Sequence, residues 1–145
     1  MRLIIKEDQN SELTVTVTYP EYNTETEKII HMLKREGHLL KGNDNGRAYQ
    51  VLANDIYYIE SVQKKVFIYT KDHVYGSSQR LSELEKDLVG DDFVKVSKSC
   101  LVNINKLVRI RNIANSRIEA ELSNGEKLII SRTYIKDIRR MVLGE

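Results

Sequence analysis

The chain has a single cysteine, Cys100, so no internal disulfide can form, and a reducing, cytoplasmic setting is the expectation. No apolar run approaches the length of a membrane span, and the N-terminus lacks the charged-then-apolar pattern of a signal peptide. Low-complexity segments and internal repeats are missing too. The seven glycines are scattered in turns, so no Gly-rich loop can cradle a phosphate. His31, His38 and His73 stand at spacings unlike those of zinc ligands, and no second cysteine can join them. Cys100 itself lies on the apolar parity of "CLVNI", where a small buried hydrophobe is expected. Nothing marks a serine as activated. The sequence therefore offers no catalytic residue, metal site, cofactor site or small-molecule substrate, and an enzyme is not expected.

The most informative absence is local. From Phe93 to Ile118 there is no Asp or Glu, while Lys95, Lys98, Lys106, Arg109, Arg111 and Arg117 stand in the same stretch. Residues 1–92 carry 12 Lys+Arg against 16 Asp+Glu, and residues 93–145 carry 11 against 5. The formal net charge of +2 hides this split. A basic second part suggests a polyanionic partner, although charges unevenly spread over a solvated surface read the same way.

What is present reads as two parts. In "ELTVTVTYP", Leu13, Val15, Val17 and Tyr19 alternate with threonines, the period of a half-buried strand that Pro20 ends. "TETEKIIHMLKREG" follows as a helix, with Thr24 and Glu27 at capping-box spacing, Ile29, Ile30 and Leu33 as its buried stripe, and Gly37 as its stop. Lys41–Arg47 is turn chemistry and the expected boundary, giving a small β-α extension over 1–46 and a second domain over 47–145. That domain reads as mainly β. "AYQVL", "DIYYIE", "VFIYT", "FVKV", "CLVNI", "KLVRIRNI", "RIEAEL" and "KLIIS" are short strands, and Asn124-Gly125 marks a hairpin. Leu81, Leu84 and Leu88 define a short amphipathic helix. A last helix, Thr133 to Leu143, is expected to bury Ile135, Ile138 and Val142 and to expose Lys136, Arg139 and Arg140. Along the acid-free stretch, Val94, Val96, Val102, Ile104, Val108 and Ile110 are the inward positions. Arg109 and Arg111 point outward, and Lys98 sits on a turn. The Asp91-Asp92 pair reads as loop solvation, and Asn103, at an apolar strand end, as a satisfier of backbone groups.

Several motifs in order then become recognisable: Phe93-x-Lys95, the polar Ser97-Lys98-Ser99, Leu101-Val102-Asn103, the Asn124-Gly125 hairpin and Ser131-Arg132-Thr133-Tyr134. They resemble the signature of the LytTR family of bacterial transcriptional regulators, over about residues 50–143. The resemblance implies an elongated, multi-sheet β domain with short helices that binds double-stranded DNA through loops, reading paired direct repeats in successive major grooves. It implies base contacts from Lys65, with a gap shifting that match to Lys64, and from Lys98 and Arg132. Lys64, Lys95, Ser97, Ser99, Arg109 and Arg111 are the corresponding backbone contacts. On this view the missing acids leave phosphates unopposed. About 45 residues precede the β region, fewer than a phosphoacceptor receiver needs, so the chain is similar to stand-alone members of the family. A homodimer on DNA is implied, its extension mediating self-association or contact with a regulatory partner, which in some members is a small membrane protein.

A different class remains open at this point: a non-catalytic module whose basic face docks on an acidic protein or membrane surface. RNA binding is the weaker third, because "DIYYIE" and "VFIYT" lack the stacking motifs of common RNA modules.

Overall fold

The computed structural model describes residues 1–144, with the side chains of 34–37 and 143 outside the described set. Ten strands form two antiparallel sheets. In chain order they are β1 (Leu39–Asp44), β2 (Arg47–Leu52), β3 (Ile56–Val62), β4 (Lys65–Thr70), β5 (Val74–Ser77), β6 (Phe93–Ser97), β7 (Cys100–Asn103), β8 (Leu107–Ile113), β9 (Arg117–Leu122) and β10 (Lys127–Ile130). A seven-stranded sheet has the order β2-β1-β5-β4-β3-β7-β6, and a three-stranded sheet the order β10-β9-β8. Helices α1 (Thr24–Gly37), α2 (Leu81–Asp87) and α3 (Ile135–Leu143) complete the fold. The mainly β expectation holds.

The large sheet is a layer between two cores. Its central strands β3 and β7 carry runs of four buried residues, Ile56 to Ile59 and Cys100 to Asn103, as expected of strands covered on both faces. On one side Ile59, Ile68 and Leu101 pack with Leu81, Leu84 and Leu88 of α2 and its C-terminal turn. On the other, Cys100, Val102, Val94 and Val96 meet Ala120, Leu122 and Ile130 of the small sheet and Ile138 of α3. Leu84, fully buried at the centre of the first core, is a position where truncation to alanine costs about 2–5 kcal/mol.

Asn103 satisfies backbone groups, as its sequence context implies. It is fully buried; its Nδ2 donates to the Ile56 carbonyl at 2.8 Å, and its Oδ1 accepts from the Asn105 amide at 3.0 Å.

Several local expectations are corrected. Lys41–Arg47 is a hairpin: β1 pairs with β2 from Leu39↔Leu52 to Asp44↔Arg47 around Asn45 and Gly46, both at positive φ. The large sheet therefore begins at Leu39. Strand β5, Val74–Ser77, has no counterpart in the sequence reading. Leu13–Tyr19 forms no strand; these residues are irregular and mostly exposed, Leu13 at 97%, because no neighbouring strand pairs with them. Asn23 caps α1 in place of a Thr24–Glu27 box: its Oδ1 accepts from the Thr26 amide and hydroxyl, each at 3.0 Å. Ile29 and Ile30 are half-buried and Leu33 is exposed, since α1 lies on the surface of the β layers. Val142 is exposed; among the described residues of α3 only Ile138 reaches full burial. Val108 is exposed too: the β8–β9 register shifts between Leu107 and Arg109, and that bulge reverses the alternation.

The Asp91-Asp92 pair is structural. His38 Nδ1 lies 2.5 Å from Asp91 Oδ2, and His31 Nε2 lies 3.3 Å from Asp92 Oδ1. Asp92 also accepts from Asn105 Nδ2 at 3.1 Å. Together these contacts tie α1 and the residue after it to the loop preceding β6.

Candidate nucleic-acid interface

Strand register brings four loops to one end of the two sheets. β3 runs antiparallel to β7, with Glu60 opposite Cys100, and the Ser61 amide donates to the Ser99 carbonyl at 2.8 Å. The β3–β4 turn at Gln63-Lys64 is thereby set beside the β6–β7 turn at Lys98-Ser99. The Ser131 amide donates to the Val96 carbonyl at 2.7 Å, which brings the end of β10 to the same turn. Ile130 faces Ile118 across β9–β10, so the β8–β9 loop at Ala114–Ser116 lies next to Arg132. Arg132 Nη2 donates to the Ser116 carbonyl at 3.4 Å.

Each loop presents a long cation. Lys64, Lys65, Lys98, Arg117 and Arg132 are all exposed. Among the described residues none of the five is in an ion pair, since the pairs involve other cations. Their positive charge is not cancelled locally and faces solvent. By sequence alone Arg117 is one more cation of the acid-free stretch, outside the expected site. Its charge was visible there, but its place depends on the β8–β9 register.

The backbone at these loops is strained. Gln63 (φ 51°) and Lys64 (φ 66°) form the β3–β4 turn without glycine, and Asn115 (φ 65°) and Ser116 (φ 58°) repeat the pattern in β8–β9. Left-handed conformations cost a non-glycine residue about 1–2 kcal/mol. Such strain concentrates where a side chain has a task. In the β6–β7 turn, Ser97 Oγ accepts from the Ser99 amide at 3.2 Å and lies 3.4 Å from Ser99 Oγ, bracing the backbone on either side of Lys98.

The strand-borne cations are placed differently. Arg109 pairs through Nε with Glu121, and Arg111 Nε lies 3.0 Å from Glu119 Oε1, each directly across the β8–β9 ladder. Lys95 Nζ is 3.4 Å from Glu85 Oε2. The stretch without acids in sequence thus meets acids in space, from β9 and α2. Cys100 is buried, and burial pushes its thiol up to about 12, with nearby Glu60 adding to the shift. Among the described residues no group of three or more His, Cys, Asp or Glu gathers as metal ligands would. No described helix is long and apolar enough to cross a membrane.

Comparison with known proteins agrees with this architecture. Residues 46–143 match the family model of the LytTr DNA-binding domain. The sensory transduction protein LytT of Enterococcus faecalis is 29% identical over 106 residues, 73% of this chain and 43% of that protein. LytT of Bacillus subtilis is 33% identical over 88 residues, covering 61% of this chain and 36% of its own length. The transcriptional regulatory protein YpdB of Escherichia coli is 24% identical over 145 residues, 96% of this chain and 59% of that protein. The chain thus spans between 36% and 59% of these relatives. A solved LytTr DNA-binding domain, from a Bacillus cereus protein described as a methyl-accepting/DNA response regulator, superposes with a TM-score of 0.67 at 23% identity. It covers 74% of this chain and 97% of that one, and shows the shared fold.

Proposed function

Since the chain belongs to the LytTr DNA-binding domain family, we propose that it is a sequence-specific, double-stranded DNA-binding transcriptional regulator working through its loop end. The observation that carries this reading is the meeting of Lys64, Lys65, Lys98, Arg117 and Arg132 on four adjacent loops, exposed and, among the described residues, outside any ion pair. Phosphate binding needs uncancelled charge, and base reading needs long donors projecting past the backbone.

The roles divide by reach and by surroundings. Arg132 and Lys98 read bases, with Arg132 able to engage guanine O6 and N7 bidentately. The β3–β4 turn adds a third reader, Lys65 or the apex residue Lys64. Ser97 and Ser99 hold phosphate by their hydroxyls, and Arg117 joins them by its charge. Lys95, Arg109 and Arg111 make weaker phosphate contacts, because Glu85, Glu121 and Glu119 offset their charge. Two copies, each on one repeat of a direct-repeat promoter site, bind cooperatively through the N-terminal residues. The same residues are the place where a regulatory partner, including a membrane protein, acts. The protein works in the bacterial cytoplasm and has no catalytic role.

The test is selection of bound sites from random duplex DNA, followed by a salt titration on the winner. Four phosphates met by Lys95, Arg109, Arg111 and Arg117 imply a log–log slope of roughly −3.6. Arg132→Ala should cost about 1–3 kcal/mol and relax one base position, whereas Arg117→Ala should weaken all sequences alike. Steep salt dependence without any enriched sequence would leave only a general polyanion-binding surface.

A further inference from the structure

Residues 1–23 hold a feature that neither the cores nor the loop end uses. The chain reverses at Asp8–Ser11: the Ser11 amide donates to the Asp8 carbonyl at 3.1 Å, and the Asp8 carboxylate accepts from the Asn10 amide at 3.1 Å and the Ser11 hydroxyl at 2.7 Å. Two apolar segments flank this turn. Leu3, Ile4 and Ile5 precede it at 62–83% exposure; Leu13 and Val15 follow at 97% and 67%. Leu13–Tyr19 consists only of Leu, Thr, Val and Tyr, a composition suited to a pleated strand and little else. Among the described residues it has no strand partner. Left in water, such a segment pairs with whatever edge is open.

Of the four sheet edges, one is open and undefended. Along β6, the Val96 carbonyl is taken by Ser131. β10 is four residues long. β8 is broken by its bulge and carries Arg109 and Arg111. β2 has six residues, unbroken register with β1, no proline, no lysine, one arginine at its very start (Arg47) and five exposed positions. Among the described residues its outer side accepts or donates no backbone hydrogen bond to another segment. Seven residues of Leu13–Tyr19 fit six of β2. The parities match as well: Leu13, Val15, Val17 and Tyr19 can extend the layer of Tyr49 and Val51, leaving the threonines beside Ala48 and Gln50.

We infer that Leu13–Tyr19 of one copy adds as an eighth strand to the β2 edge of a second copy, and that the exchange is reciprocal. Every chain carries one donor segment and one acceptor edge, and within the single chain both stay unfilled. Exchange of the arms fills both and stops at two, and because only the irregular residues 20–23 join each arm to α1, it leaves the two cation-bearing ends free to take one orientation on a direct repeat. The inference rests on the self-association part of the proposed function and is independent of DNA, so it is tested without DNA.

Sedimentation equilibrium of the full chain is combined with amide hydrogen exchange over a concentration series. The expected result is a mass approaching that of two chains, with protection of the Leu13–Tyr19 amides rising in step with the dimer fraction. Val15→Asp with Val17→Asp should abolish both, leaving the fold intact because neither side chain belongs to a core. Mixing Thr16→Cys chains with Gln50→Cys chains, with Thr14→Cys and Thr18→Cys covering neighbouring registers, should give a disulfide between different chains under mild oxidation. A dimer whose arm amides stay unprotected overturns the exchange but leaves self-association standing. Protection of the arm in a monomer, or a bond formed within one doubly substituted chain, would mean the segment fills its own edge. A chain monomeric at every attainable concentration removes both the exchange and self-association, while DNA affinity measured separately judges the rest.

Discussion

Glu121 holds the Arg109 guanidinium through Nε, directly across the β8–β9 ladder, and Glu119 does the same for Arg111 two pairs along, beyond Ile110↔Ala120. Arg109 keeps 56% of its side chain exposed while Glu121 keeps 21%, so the pair presents a cation whose charge is offset from beneath. Glu121→Gln should therefore tighten binding to random and cognate DNA alike and steepen the salt slope by up to one phosphate's worth, about 0.9. It should cost less than about 1 kcal/mol of stability, as exposed pairs do. Unchanged or weaker DNA binding would show that Arg109 does not face the nucleic acid.

Lys64→Gly separates stability from binding. Lys64 occupies φ 66° in a turn where glycine is unstrained. Relief of that strain, less the greater unfolded-state freedom of glycine, should raise stability by about 0.5–1 kcal/mol in urea denaturation. DNA affinity should fall at the same time. A variant that is more stable and binds as well as the parent removes Lys64 from the interface and leaves Lys65 as the first-loop contact.

Asn103→Ala attacks the join between β7 and β3. Removing Nδ2 leaves the Ile56 carbonyl without its side-chain donor in a fully buried place, and the Asn105 amide loses its acceptor. The expected loss is about 1–3 kcal/mol from the buried Ile56 carbonyl, since water can take the amide of the exposed Asn105. Thermal or urea unfolding checks it, and a loss below about 0.5 kcal/mol would mean that water or backbone adjustment replaces the amide.

Alkali should destabilise the fold over a defined window. Cys100 ordinarily ionises near 9.0 and in the fold near about 12, chiefly because burial disfavours the thiolate. Tyr58 is raised above its usual 10.0, again mainly by burial and then by Glu126. Both groups hold their protons more tightly when folded, so their contribution is complete below pH 9.0 and is lost as pH climbs toward about 12. Urea midpoints should fall across that interval, and Cys100→Ala should flatten part of the slope while Tyr58 keeps the rest. Native protein below pH 9.0 should also resist thiol reagents until it unfolds.

Much of the β framework was legible because its strands are short, β-branched and divided by clear turns; β3, β4, β6, β7, β9 and β10 fall where composition puts them. β1 was not, since "LLKGND" carries turn residues. Gly42 is there for space: a Cβ at that position would lie 2.8 Å from Tyr75 Cβ on β5. The opposite error occurred at Leu13–Tyr19, where local pattern names a strand but pairing needs a neighbour. In the site, Lys98 and Arg132 stood out by their motif positions, and the structure places both on exposed loops of one end. Arg117 and the Glu119–Arg111 and Glu121–Arg109 pairs depend on which residues face each other across β8 and β9, and single-strand patterns do not contain that.

The four loops at the cation-bearing end belong to different hairpins and junctions, and none of their five cations is buried. An exchange at Lys98 leaves the strands under Arg132 undisturbed, and the reverse holds as well. If these loops read bases as proposed, recognition can change one letter at a time while the cores remain as they are. On that reading the domain acquires a new operator through a few surface substitutions, each tolerated by the fold before it is useful on DNA.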